Sequence, residues 1–201
     1  LLRAKELGYS ALALTDHDNL CGAMRIAQLT CSLGMQGITG TELTLKGGHH
    51  ITLLAQERKG YRNLCHLITA AHSSGQRNTP ELPPGLLPEH VSGLIALSGC
   101  PLGELSQMVA RSRFSEARNM VRQYLDWFGR DNYYLELQQN LVFGDTERNK
   151  RLIALAKETG VRVAATGNVH YHIPERHQLQ DCLVAIRHCK SLEETHRERR
   201  P

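Results

Sequence analysis

Aromatic side chains are scarce in this chain. Phe, Tyr and Trp make up 5% of its 201 residues, and there is a single Trp. That poverty argues against a stacking platform for single-stranded nucleic acid, and a net charge of +4 is too mild for a phosphate-tracking groove. No run approaches the roughly 20 apolar residues that a membrane span requires. The opening stretch "LLRAKELGYS" has neither an apolar core nor a cleavage site, so it is not a secretory signal. The six cysteines, Cys21, Cys31, Cys65, Cys100, Cys182 and Cys189, contain no CxxC pair. Without a secretory signal they read as reduced thiols, and the expected location is the cytoplasm. An initiator Met is also lacking, and "SLEETHRERRP" stops in a charged run without a closing element. Both features point to a fragment. The cluster Arg197, Arg199 and Arg200 reads as a solvated helix end or linker.

Hydrophobic residues make up 41% of the chain, enough for one domain with a real core. Strand-like runs occur at 10–16, 37–45, 49–56, 93–99, 132–139 and 161–167. Between most of them lie helical patterns. "NLCGAMRIAQLTCSLG" lines up Leu20, Met24, Ala27 and Cys31 and stops at Gly34. "GYRNLCHLITAAHSSG" lines up Leu64, Leu67, Ile68 and Ala71. Three more helices follow in "RFSEARNMVRQYLDWFG", "DTERNKRLIALAKETG" and "ERHQLQDCLVAIRHCKSL", with Asp145 placed to cap the second of these. Residues 46–48, "KGG", predict a tight hairpin. The segment 73–90, with four of the seven prolines, predicts an exposed loop. Strand–helix alternation of this kind predicts an α/β fold with a mainly parallel sheet.

In such folds the ligand site lies beyond the carboxyl ends of the strands. The first strand ends in Asp16-His17-Asp18. The second carries Glu42, and the third begins with His49-His50. The fourth ends in Ser98-Gly99-Cys100. The fifth holds Glu136, and the sixth runs into Asn168-Val169-His170, with His172 beyond. Imidazoles and carboxylates recurring at strand ends form the donor set of a multinuclear metal site, which activates water for attack on a phosphoester. Each residue also has a plainer role open to it. Asp18 or Asn19 is the expected N-cap of a helix over 20–33, and Asp16 can orient His17 from behind. Glu42 can face solvent, His49 can be a turn residue, and Cys100 can be an inert buried thiol. His66, His72, His90, His177, His188 and His196 fall on helices or loops, where surface placement is expected.

The motifs "ALALTDHDNLCGA", "GTEL", "HITLLA…GYRNL", "GLIALSGCPLGEL", "YYLELQ" and "VAATGNVHY" carry a resemblance. In order and spacing they resemble the PHP domain, the module that opens the α subunit of bacterial C-family DNA polymerases. The resemblance extends to about Leu192. It implies a distorted (β/α)7 barrel, incomplete at its N-terminus, over residues 1–192, with 193–201 beginning a linker toward a polymerase core. It implies metal-ligand roles for His17, Glu42, His50, Cys100 and His170, with Asp16 supporting. Zn²⁺ or Mn²⁺ is the implied cation.

The chain departs from the family pattern twice. The His-x-His pair of the opening strand is absent from these residues, and Asn168 stands where the family carries Asp. An amide is a neutral and weaker ligand, so weakened or lost metal binding and no hydrolytic activity are expected. Asn168 and the short "LTLKGGHH" link make the chain most like the error-prone, damage-inducible branch. That branch implies DNA and deoxynucleotides as partners, held through a downstream core with Mg²⁺. It also implies a sliding clamp and accessory mutagenesis proteins. The competing expectation is a metal-dependent phosphoesterase or a proofreading 3′–5′ exonuclease.

Overall fold

The computed structural model describes residues 1–74, 79–83 and 85–195. His196 and the arginines at 197, 199 and 200 therefore lie outside the described residues. Six strands form one sheet in sequence order. They are β1 (Ala11–Leu14), β2 (Gln36–Leu45), β3 (His49–Ala55), β4 (Leu94–Leu97), β5 (Tyr133–Gln138) and β6 (Arg162–Thr166). Eight α-helices accompany them: α1 (Leu2–Glu6), α2 (Ala23–Leu33), α3 (Arg58–Ser74), α4 (Leu86–Glu89), α5 (Glu104–Ala110), α6 (Phe114–Phe128), α7 (Asp145–Thr159) and α8 (His177–His188). A 3₁₀ turn, Pro174–Arg176, leads into α8. The short helices α4 and α5 are absent from the sequence patterns.

The sheet is mixed. The β1–β2, β4–β5 and β5–β6 pairs are parallel, whereas β3 is antiparallel to both neighbours. The cause is the three-residue hairpin Lys46–Gly47–Gly48, where both glycines have positive φ and Leu45 pairs with His49. β3 therefore runs against the other five strands. This reversal brings its first residues, His49 and His50, to the end where those strands finish. Gln56 N–H then bonds Gly93 C=O at 2.9 Å, and α3 together with the proline-rich segment fills the excursion between β3 and β4.

That segment is not simply an exposed loop. Leu82 and Leu87 are buried in the core, and Leu82 N–H donates to Thr44 C=O at 2.8 Å. Four prolines leave few N–H groups to satisfy, which suits a segment laid over a strand end. On α3, Leu64, Leu67 and Ala71 are buried as the 3.6-residue period predicts. On α2 the buried face differs from the predicted one. Met24 and Cys31 are exposed, and Ala23, Ile26 and Thr30 turn inward. The reason is Gly37 of β2, where a Cβ would sit 2.6 Å from Thr30 Oγ1 and 3.3 Å from Ile26 Cγ2. The missing side chain lets α2 seat on that face.

The core runs from Leu43, Ile51 and Leu53 through Leu94 and Leu135 to Leu152, each almost fully enclosed. Each such side chain contributes roughly 1.5–3 kcal/mol by leaving water. Tyr133 stacks on Tyr124 at 5.1 Å between ring centroids and closes the core under α6. Asp145 does not cap α7 by a side-chain bond. It sits buried at the first helical position and accepts from Asn140 N–H at 2.8 Å and Val142 N–H at 3.3 Å, with Arg148 at 2.9 Å. It staples the β5–α7 loop to the helix.

Candidate metal centre

β1 ends at Leu14, yet the chain keeps pairing with β2 beyond it. Asp18 N–H donates to Glu42 C=O at 2.9 Å, and Glu42 N–H donates to Asp16 C=O at 3.1 Å. This short parallel bridge sets His17 beside Glu42. On the other flank, Glu42 stands opposite Thr52 in the β2–β3 register. His50 lies two residues from Thr52 and therefore shares its face. Three elements thus deliver three donor side chains to one place.

Glu42 Oε1 lies 2.8 Å from His50 Nδ1, and Oε2 lies 3.4 Å from His17 Nε2. The two imidazoles meet edge to face, 5.0 Å between centroids. Cys100 Sγ adds a contact at 3.4 Å from His50 Nδ1. The thiol arrives there through Gly99, whose φ of +90° is open to glycine and whose absent Cβ would collide with the His50 carbonyl. Among the described residues, His17, Glu42 and His50 form the one group of potential metal ligands with donor atoms within 4.8 Å of one another.

The electrostatics suit cation binding. Burial alone pushes the Glu42 carboxyl upward. The His50 hydrogen bond, the His17 charge and the Cys100 hydrogen bond outweigh it and hold the pKa down to about 2. Glu42 is therefore a buried anion across the physiological range. His17 is lowered, first by burial, with Glu42 opposing and the nearby His50 and Arg187 adding to the fall. A neutral imidazole keeps the lone pair that a metal needs. Two imidazoles, one carboxylate and a neighbouring thiol make a borderline-soft donor set of the kind that takes Zn²⁺.

The other predicted residues are placed differently. His170 is exposed and outside this group, and Asn168 follows β6 with a φ of +46°. Asp16 is exposed and contributes through its carbonyl, which accepts from Thr41 Oγ1 at 2.8 Å as well as from Glu42 N–H. His49 is half-buried beside the Leu102 carbonyl. Neither Asp18 nor Asn19 caps α2, whose N-cap is Gly22 without a side-chain bond. Asn19 instead closes a local turn, its Oδ1 accepting from Cys21 N–H at 3.0 Å. Arg187 and Gly99 are two contributors that residue-type reasoning passed over. Arg187 acts from a helix far along the chain, and no local spacing signals it.

The α/β sheet gathers two imidazoles and a carboxylate, a group that could hold a metal ion, where its strands end. Residues 1–140 match the family model described as "PHP domain", and the chain belongs to that family. It is 40% identical, over 96% of its length, to an error-prone DNA polymerase of Symbiobacterium thermophilum, but spans 19% of that protein. It is 34% identical over 91% of its length to the DNA polymerase III subunit alpha of Treponema pallidum and spans 17% of it. The chain thus corresponds to about a fifth of the length of these relatives. Among solved structures, a metal-dependent phosphoesterase from Bifidobacterium adolescentis superposes with a TM-score of 0.56 at 14% identity. The match covers 86% of this chain and 80% of that one. At that identity the likeness shows the shared barrel fold. No helix among the described residues is long and apolar enough to cross a membrane.

Proposed function

We propose that the chain is the N-terminal PHP module of a C-family DNA polymerase of the error-prone, translesion type. Residues 1–192 are the module, and 193–201 begin the linker to the polymerase core. The observation that carries this reading is the 40% identity across nearly the whole chain to an error-prone polymerase, against 14% to a phosphoesterase of the same fold. The role of the module is structural, as a folded body packed against the catalytic part. DNA, deoxynucleotides and the Mg²⁺ of nucleotidyl transfer are then handled by that part. A sliding clamp and accessory mutagenesis proteins would be the further partners, in the cytoplasm.

In this reading the metal site is reduced to a single cation position. His17, Glu42 and His50 would hold the ion, with the Cys100 thiol beside His50. Such an ion would tie β1, β2 and β3 together. Asn168 brings no negative charge, and His170 lies outside the group formed by His17, Glu42 and His50. A second ion therefore lacks anionic ligands. The test is His17→Ala in the full-length polymerase. Thermal stability should fall clearly while nucleotide incorporation per folded molecule stays within about twofold of wild type. The opposite ranking contradicts the scaffold role.

One observation favours a hydrolytic second reading. A lowered His17 beside an ionised Glu42 is also how a water-activating metal site is furnished. Release of p-nitrophenol from its phosphate ester, or shortening of a 5′-labelled DNA strand, by the Zn²⁺- or Mn²⁺-loaded chain would select that reading. Loss of the activity in Glu42→Gln would be required as well.

A further inference from the structure

Asp18 is a buried carboxylate beside the metal site that takes no part in ligation. Its backbone is left-handed, with φ of +53°, a region that Asp and Asn tolerate better than other side-chain-bearing residues. Every polar group it carries is engaged. Oδ1 accepts from Thr44 N–H at 2.7 Å, and Oδ2 accepts from Thr44 Oγ1 at 2.7 Å. Its N–H donates to Glu42 C=O at 2.9 Å, and its C=O accepts from His72 Nε2 at 2.8 Å. Thr44 lies two residues beyond Glu42 on β2, so the two side chains share a face of the strand. Asn19 Nδ2 adds a bond to the His17 carbonyl at 2.8 Å.

We propose that Asp18, backed by Thr44 and His72, is a positioning residue that sets His17 against Glu42 before any cation arrives. The inference rests on the single-cation reading above. The carboxylate grips the strand that carries Glu42, and His72 anchors the same turn to α3. His17, one residue earlier, is thereby fixed in the approach that leaves its Nε2 3.4 Å from Glu42 Oε2. A turn free to swing would lose that approach. Neighbours that orient a metal ligand typically govern metal affinity by 10–100-fold.

Three substitutions test this in the chain itself, with Co²⁺ as the probe. Asp18→Gly suits the positive φ and removes only the carboxylate, so the fold survives. Thr44→Val removes one donor with little change of shape. Asp18→Asn keeps an acceptor for Thr44 N–H. Co²⁺ affinity is measured by calorimetry, and ligand geometry by the visible absorption band of the bound ion. Asp18→Gly should bind Co²⁺ about tenfold or more weaker with an altered band, and Thr44→Val should move the same way by less. Asp18→Asn should recover most of both readouts. A wild-type affinity and band in Asp18→Gly overturn the proposal. Hydrogen exchange of the residue-18 and Thr44 amides, without metal, provides a readout independent of the ion. Faster exchange in Asp18→Gly is expected, and unchanged exchange overturns the clamp even if Co²⁺ does not bind. Absence of Co²⁺ binding to the wild type, with faster exchange in the variant, defeats the metal reading and leaves the clamp standing.

Discussion

Two glutamates on the sheet are buried to nearly the same degree, Glu42 at 7% and Glu136 at 4% exposure, and they keep different company. Glu42 faces two imidazoles and a thiol. Glu136 faces neutral groups alone: Gln138 Nε2 at 2.9 Å and Thr166 Oγ1 at 2.5 Å on one oxygen, and Thr52 Oγ1 at 3.3 Å on the other. The Thr52 bond reaches across β4, which separates β3 from β5. Strands two apart in a flat sheet lie about 10 Å from each other, so the bond records how tightly the sheet curls. Thr52 stands opposite Glu42 and donates to Glu136, and it joins the two neighbourhoods. The same side chain thus gathers imidazoles and a thiol in one place, and serves as a cross-brace where its partners carry hydroxyl and amide protons.

The largest effect that separates the two is on folding. Glu136→Ala takes away the acceptor of the Thr52 and Thr166 hydroxyls and one of the two acceptors of Gln138 Nε2, and should lower the unfolding free energy by about 4 kcal/mol, measured by urea denaturation. Glu42→Gln should cost less than half as much stability and instead weaken Zn²⁺ binding by roughly 100-fold in calorimetry. Equal stability losses in the two variants would erase the distinction. Cys100→Ser sharpens the picture at the soft end. It should weaken Zn²⁺ binding by about tenfold and leave Mn²⁺ binding unchanged, because Mn²⁺ prefers oxygen to sulfur.

The smallest effect is on pH dependence without metal. The folded-state pKa of Glu42, about 2, lies below its ordinary 4.5. Its contribution to stability is therefore complete above about pH 4.5 and is lost as pH falls toward 2. The stability difference between wild type and Glu42→Gln should narrow over that window. A difference that stays constant from pH 5 to pH 2 would contradict the assignment.

Much of the fold was legible because it rests on local rules. Short strand-like runs marked all six strands, and Gly34 ended α2 in the left-handed conformation. The motif residues His17, Glu42 and His50 were legible as types, and the structure gathers them. What stayed hidden depends on distant partners. The buried face of α2 is chosen by Gly37 on another element, and Asp18 is bound to Thr44, 26 residues away. A helix cap and a strand clamp look alike in sequence, because both are an acid just after a strand. Asp145 shows the same ambiguity, bonding back to its loop where a cap was expected.

His17, Glu42 and His50 would build one cation position. Zn²⁺ titration of the chain by calorimetry, followed by Glu42→Gln and His170→Ala, tests it most directly. The expected stoichiometry is one, with binding weakened strongly by Glu42→Gln and unaffected by His170→Ala. Two or more ions per chain, or binding that survives Glu42→Gln at full strength, would contradict it.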